Sequence, residues 1–273
     1  LPLLSEKHFG VSRRYGYASS PLKPDLCVPY YSRSPVANSY FQFKQFRIEQ
    51  RECAMKVSTD ACVLGAAADI ASAQRVLDIG TGTGLLALMA AQRNTTATIE
   101  AVELDPAAAS QAAENFRASP WAPRLSLHAQ SLAEFAAPHP APFDHILCNP
   151  PFFRHSLRPP DARRATARHT APDTLSFPEL AQFAAEFLTA QGCLTVLLPP
   201  PEMQHFERDA AQFGLFPATR LVLRHRVGSK LLRHITTFER QPQPVQNQEL
   251  LVTEDDEYSP EFKALLGPFY LAL

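Results

Sequence analysis

RVLDIGTGTGLLALMAAQR, residues 75–93, decides the fold. Val76, Leu77 and Ile79 form an apolar run broken only by Asp78, the pattern of a strand buried on both faces of a parallel sheet. Gly80, Gly82 and Gly84 follow at alternate positions, where they let the backbone turn sharply and come close to a ligand. Leu85–Arg93 then reads as a helix of Leu, Ala and Met that ends in polar Gln92 and Arg93. Strand, glycine turn and helix in that order open a twisted α/β sheet. Such sheets bind ligands outside the carboxyl ends of their strands.

The same residues narrow the ligand. The dinucleotide fingerprint G-x-G-x-x-G needs a third glycine where this chain has Leu85. Asp78, just before the first glycine, sits badly beside a pyrophosphate and well beside a cation. S-adenosylmethionine carries a sulfonium and an α-ammonium and no phosphate. Asp78 is expected to accept from its amino-acid end, with Gly80, Gly82 and Gly84 as the backbone cradle. Glu103, at the end of the next strand, is expected to take both ribose hydroxyls, with Leu104 beside it. NAD would also use an acid there, so Glu103 alone does not discriminate.

Outward from this unit the chain alternates. Residues 41–50 alternate like a short strand or hairpin, and 58–71 read as a helix capped by Ser58 or Thr59. Strands are expected at 75–80, 98–105, 124–131, 143–149 and 192–199. Helices are expected at 85–93, after Pro106, at 177–189 and at 201–214. Residues 218–227 and 230–240 form a hairpin across Gly228–Ser229. The expectation is an α/β fold: a mostly parallel twisted sheet with helices on both faces and a C-terminal antiparallel hairpin. Residues 1–38, rich in Pro, Ser and Tyr without a period, read as a disordered extension. Residues 39–273 form the folded domain, with 39–72 as a cap over the cofactor site.

The fourth strand ends unusually, in FDHILCNPPFF, 143–153. Proline cannot continue a sheet ladder, so Asn149, Pro150, Pro151 and Phe152 stop the strand with two rigid residues between an amide and a ring. The exocyclic amine of a nucleobase is a poor nucleophile because its lone pair is conjugated into the ring. If the Asn149 side-chain oxygen and the Pro150 carbonyl each accept one of its N–H groups, negative potential builds where positive charge develops during attack on a methyl carbon. Phe152 offers a stacking face for a flipped base.

DIGTGTG, Glu103 and NPPF together resemble the class I S-adenosylmethionine-dependent methyltransferases that act on amino groups. More narrowly, residues 40–273 resemble the bacterial tRNA(Val) adenine-37 N6-methyltransferase family. FKQFRI, CAMKVSTDACVLGA, VLDIGTGTGLLALMAAQR, AVELDPAAASQAAENF, SPWAPRL, FDHILCNPPFF, ARHT and PFYLAL carry the likeness. It implies a Rossmann-like class I methyltransferase fold, S-adenosylmethionine as methyl donor and N6 of an anticodon-loop adenosine as acceptor. It also implies that Lys56, Thr59 and Asp60 pack over the cofactor and that Asn149 borders it. Such enzymes commonly carry an acid after the third strand that accepts from the adenine amino group. This chain has Gln130 and Ser131 there, which shifts that contact to a weaker acceptor.

A net charge of −1 means that any RNA footprint must be a local patch. Two candidates stand out. Arg154, Arg158, Arg163, Arg164 and Arg168 follow the Asn-Pro-Pro turn directly, and Arg220, Arg224, Arg226, Lys230, Arg233 and Arg240 lie on the hairpin. Lys44 and Arg47, in FKQFR, are further candidates for RNA contact, and the acidic run 254–257 is expected to lie away from it. Cys27, Cys53, Cys62, Cys148 and Cys193 show no C-x-x-C or zinc spacing and read as free thiols of a reducing cytoplasm. No metal, membrane span or signal peptide is expected, and the protein is expected to act as a monomer. Two other readings stay open: the same cofactor with another conjugated amine as acceptor (rRNA guanine N2 or a protein glutamine amide), and a non-catalytic RNA-binding protein.

Overall fold

The computed structural model describes residues 39–150 and 175–273. Expectations for residues 1–38, and for Pro151, Phe152, Arg154, Arg158, Arg163, Arg164 and Arg168, lie outside the described residues.

The strands are β1 (Tyr40–Gln42), β2 (Arg47–Glu49), β3 (Arg75–Ile79), β4 (Thr98–Glu103), β5 (Leu125–Ala129), β6 (Phe143–Cys148), β7 (Leu188–Leu198), β8 (Phe216–Arg224), β9 (Leu231–Glu239), β10 (Gln246–Leu251), β11 (Thr253–Glu254) and β12 (Glu257–Tyr258). The α-helices are α1 (Thr59–Ala67), α2 (Leu85–Arg93), α3 (Pro106–Arg117), α4 (Leu132–Ala136), α5 (Phe177–Phe187), α6 (Pro200–Gln212) and α7 (Pro260–Leu266).

Eight strands pair in the order β10-β8-β9-β7-β6-β3-β4-β5, and β9 alone among them runs antiparallel. From β3 the chain winds outward to β4 and β5, then returns to lay β6 and β7 on the other side. The direction of winding therefore reverses between β3 and β6, the place where open α/β sheets form a ligand crevice. Side chains alternate across the sheet as the pleat requires. Val76 joins a core with α1, α2 and α7, while Leu77 and Ile79 join a second core with α5 and α6.

The local reasons are plain. Ser58 caps α1, so the alternative cap Thr59 is the first helical residue. Pro106 opens α3 behind the Asp105 cap, and Ser131 and Ser176 close capping boxes with Glu134 and Glu179. β7 begins at Leu188, earlier than expected, and its pairing with β6 slips between Phe143 and His145. Gly192 permits the slip, since a Cβ there would stand 2.8 Å from the Phe143 carbonyl oxygen. The polar run of β10, an added parallel edge strand, carries no apolar alternation and was illegible.

The N-terminal hairpin β1–β2 is pinned by rings. Phe43 is fully buried, stacks on Phe46 with centroids 4.4 Å apart, and its backbone bridges to Tyr270. FKQF and PFYLAL, distant in the chain, are thus one packed unit. Trp121 packs edge-on against Phe46 at 5.6 Å.

Gly84 caps α2 at φ 84°, and a Cβ there would approach the Phe116 ring to 2.5 Å. Gly84→Ala is expected to cost about 2–3 kcal/mol, combining left-handed strain with displacement of a buried ring. Urea denaturation measures it; an unchanged midpoint would mean that the loop relaxes freely.

Candidate active site

The glycine turn is built from both ends. Gly80 and Thr81 donate backbone N–H groups to the Val102 carbonyl at 2.9 and 3.2 Å, and Gly82 N–H donates to Glu103 at 2.8 Å. The other Glu103 carboxylate oxygen accepts from Asp105 N–H at 2.9 Å. The acid that ends β4 therefore braces the turn after β3, and any hydroxyl it receives must share those oxygens.

Asp78 has a different position from the one expected. It is fully buried and does not line the cavity at the turn. One carboxylate oxygen accepts from the Thr81 hydroxyl at 2.5 Å and from Ala87 N–H at 3.2 Å, tying the turn to the first turn of α2. The other is buried with no hydrogen-bond partner among the described residues. Burial pushes this carboxyl up to about 7, against the pull of its two donors. Asp78 shapes the turn from beneath.

Above the turn opens a cavity of about 900 Å³. Gly80, Gly82, Glu103 and Leu104 line it, with Gln130 and Ser131 from the end of β5 and Cys148 and Pro150 from the end of β6. Its walls carry the carboxylates of Glu52, Glu103, Asp105, Glu179 and Glu186, with His139 beside Glu186 at 3.6 Å, and no Lys or Arg lines it among the described residues. Five carboxylates against one histidine make a poor phosphate site and a good site for a cationic ligand. Among the described residues, chain neighbours aside, none stands within 4 Å of a Cβ built on Gly80 or Gly82, so the turn leaves backbone open toward a ligand. Leu104 is 41% exposed and offers an apolar face. Burial raises the Cys53 thiol to about 11 and the Cys148 thiol well above its ordinary value, so neither is a nucleophile.

Asn149 stands between the cavity-lining residues Cys148 and Pro150, half-buried, and its carboxamide makes no hydrogen bond among the described residues. β6 pairs directly with β3, so this amide and the glycine turn lie on adjacent strand ends.

Several expected contacts fall elsewhere. Thr59 and Asp60 line a separate cavity, because the start of α1 faces β9, where Arg233 pairs with Asp60 at 3.0 Å. Lys56 does not line the glycine cavity either. Its ammonium donates to the carbonyls of Gln50 and of Cys53, the latter at 3.0 Å, gathering the loop whose residues Glu52–Met55 form one wall. The Ser131 hydroxyl is engaged with Glu134 at 2.8 Å in the α4 cap, which leaves Gln130 as the freer group at that edge. Lys44 donates to the Gly267 carbonyl at 2.5 Å, and Arg47 pairs with Glu49 and lies over the Tyr40 ring at 3.7 Å. On the hairpin, Arg226 and Lys230 are exposed. Arg220 pairs with Glu207, Arg224 pairs with Glu249, and Arg240 holds the Ala185 and Leu188 carbonyls at the opposite end of the sheet. Among the described hairpin residues, Arg226 and Lys230 are the exposed cations of the expected rim that no ion pair engages.

Asn115 of α3 was not singled out in the sequence. It is buried, accepts from Glu49 N–H at 2.9 Å, and donates to the Glu49 and Thr83 carbonyls at 2.8 and 2.9 Å. One side chain thus joins the hairpin to the glycine turn. Asn115→Ala leaves buried backbone groups unpaired, at a cost of about 2–3 kcal/mol, and loosens the wall over the cavity. Cofactor KM is expected to rise while kcat holds; a kcat loss at constant KM would deny it this positioning role.

Known proteins share this arrangement. Residues 57–176 match the Methyltransferase small domain family. A tRNA1(Val) (adenine(37)-N6)-methyltransferase of Dyadobacter fermentans is 42% identical over 86% of this chain and 98% of its own length. The Yersinia pestis protein of the same description is 42% identical over 85% of this chain and 93% of its own. Among solved structures, a predicted O-methyltransferase from Agrobacterium tumefaciens superposes with a TM-score of 0.59 at 17% identity, covering 77% of this chain and 96% of that one. A ribosomal protein L11 methylase from Lactobacillus delbrueckii gives 0.50 at 16% identity, over 71% and 84%. The structures share the fold; the sequences share nearly their whole length, and the chain belongs to the tRNA1(Val) adenine-37 N6-methyltransferase family.

Proposed function

We infer that the protein transfers a methyl group from S-adenosylmethionine to the exocyclic N6 of adenosine 37 in a valine tRNA, acting as a cytoplasmic monomer. The observation that carries the reading is the acid-walled glycine cavity, to which the end of β6 contributes Pro150, the residue next to Asn149, across the switch between β3 and β6. The free thiols Cys53, Cys62, Cys148 and Cys193 fit a reducing compartment. No described helix is long and apolar enough to cross a membrane, and no three metal-ligating side chains cluster among the described residues.

The cavity suits the cofactor. Glu103 and Asp105 stand where ribose hydroxyls can be accepted, Leu104 and Gln130 where an adenine can pack, and Gly80 and Gly82 present open backbone. When bound, S-adenosylmethionine supplies an electrophilic methyl on a positively charged sulfur. The chain's own part is to hold the amine. The Asn149 side-chain oxygen and the Pro150 carbonyl each accept one N–H of the target amino group, stabilising the positive charge that grows on nitrogen as its lone pair attacks. No strong base is required, because the surplus proton is acidic once the N–C bond has formed and can pass to water. Phe152, next in the chain after Pro151, is the stacking face in this reading.

The test is to incubate the protein with labelled S-adenosylmethionine and tRNA from a strain lacking this modification, then digest and map the product. N6-methyladenosine at position 37 of a valine tRNA is expected. Label in guanosine, or in protein but not tRNA, would move the assignment to another amine.

A further inference from the structure

The carboxyl edge of the sheet carries a second cavity, of about 710 Å³, between the end of β8, the start of β9, the β11–β12 hairpin and α7. β9 runs antiparallel to β7, so its first residues stand at the same edge as Asn149. Two strand spacings, about 10 Å, separate β6 from β9, the near wall of this cavity.

Its chemistry is specific. Leu223, Leu232 and Val252 make apolar walls. Tyr258 is 40% exposed, and its ring is backed by Phe262 at 4.9 Å and 17°. A ring supported on one face and open to a cavity is a stacking platform. Two of the lining carboxylates are paired, Asp60 with Arg233 at 3.0 Å and Glu257 with Lys263 at 3.1 Å. The third, Asp256, has no hydrogen bond or ion pair among the described residues. The lining cations Arg233 and Lys263 are taken up by Asp60 and Glu257, which leaves a phosphate inside no unpaired Lys or Arg to meet among the described residues. A base with amino or imino hydrogens could exchange the water on exposed Asp256 for a direct contact, while exposed Arg226 and Lys230 on the adjoining β8–β9 turn meet the backbone outside.

We propose that this cavity seats a second, unmodified base of the same RNA, stacked on Tyr258 with its hydrogen-bond donors toward Asp256, so that the target adenosine is presented in register at Asn149. The proposal rests on the tRNA reading above. It also revises the expectation that the acidic run 254–257 lies away from the RNA.

The test uses the full chain and synthetic anticodon stem–loop RNAs of valine tRNA, with each loop base other than the target made abasic in turn. Loss of one particular base is expected to raise the wild-type KM about tenfold, and Tyr258→Ala to raise KM about tenfold on the intact loop and to be indifferent to that base. Tyr258→Phe keeps the ring and should behave as wild type. Asp256→Asn should weaken the preference for guanine over inosine at that position. Affinity for S-adenosylmethionine, measured by calorimetry, should be unchanged in all three variants. If the wild type is active but both variants match it on every loop, or if the abasic and Tyr258→Ala effects simply add, the cavity holds no base. A wild type that methylates no tRNA would bring down the functional reading and this proposal together.

Discussion

Asn149→Ala is expected to lower kcat roughly 10²–10³-fold, the loss seen when one preorganised polar partner of a transition state is removed. The structure explains why so much rests on one amide. Asn149 ends a strand, is followed by prolines, and makes no competing hydrogen bond among the described residues. In this reading the proline that follows limits how far the backbone can move, so little reorganisation accompanies the reaction. The glycine cavity proposed for the cofactor is lined by other residues, so affinity for S-adenosylmethionine should survive the change. Asn149→Gln moves the same amide by one methylene and should lose nearly as much, because the position of the acceptor matters as well as its identity. Single-turnover rates with calorimetric cofactor affinities separate the two effects. Normal turnover with collapsed cofactor affinity would show that Asn149 serves the cofactor and not the amine.

The second large effect concerns stability against pH, where two buried groups act in opposite directions. Asp78 binds its proton in the native state up to about pH 7, whereas in the unfolded chain it releases it near 3.8. Its contribution is full at the acid end and is lost as pH rises through 7, on the order of 4 kcal/mol in all. His145 is 1% exposed in β6, hydrogen-bonded to the Asp69 carbonyl at 3.0 Å and the Thr195 hydroxyl at 2.8 Å. Burial depresses it from 6.5 to about 4. Its contribution is present above 6.5 and is lost as pH falls toward 4, on the order of 3 kcal/mol. Between pH 4 and 6.5 the two slopes oppose, so the wild type should look nearly flat with respect to this pair. Asp78→Asn should unmask a stability that rises with pH, and His145→Gln one that falls. Urea denaturation across that range reads both slopes; two variants with parallel pH profiles would show that neither group is buried as described.

How much of this was legible in the sequence depends on range. The glycine turn, α2, α3 and the hairpin across Gly228 could be read because their determinants are neighbours in the chain: left-handed glycines, a proline at a first turn, caps three residues from their partners. The adjacency of Asn149 to the glycine turn followed from the alternation of strands and helices. β10 could not be read, because a polar edge strand is stabilised by its pairing with β8 and carries no apolar period of its own. Asn115 could not be found, since its partners at 49 and 83 are far from it in sequence.

By itself, then, the sequence determined a doubly wound sheet, a glycine turn at one strand end and an Asn-Pro-Pro stop at the end of another, because backbone sterics and side-chain period act over a few residues. Tertiary packing alone decided the remainder. It placed Asp78 under the turn rather than against the ligand, and it turned Lys56 onto backbone carbonyls. It also sent Thr59 and Asp60 to a second cavity beside Tyr258. A side chain's chemical type is written in the chain, but its partner is chosen by whichever distant group the fold brings within about 3 Å.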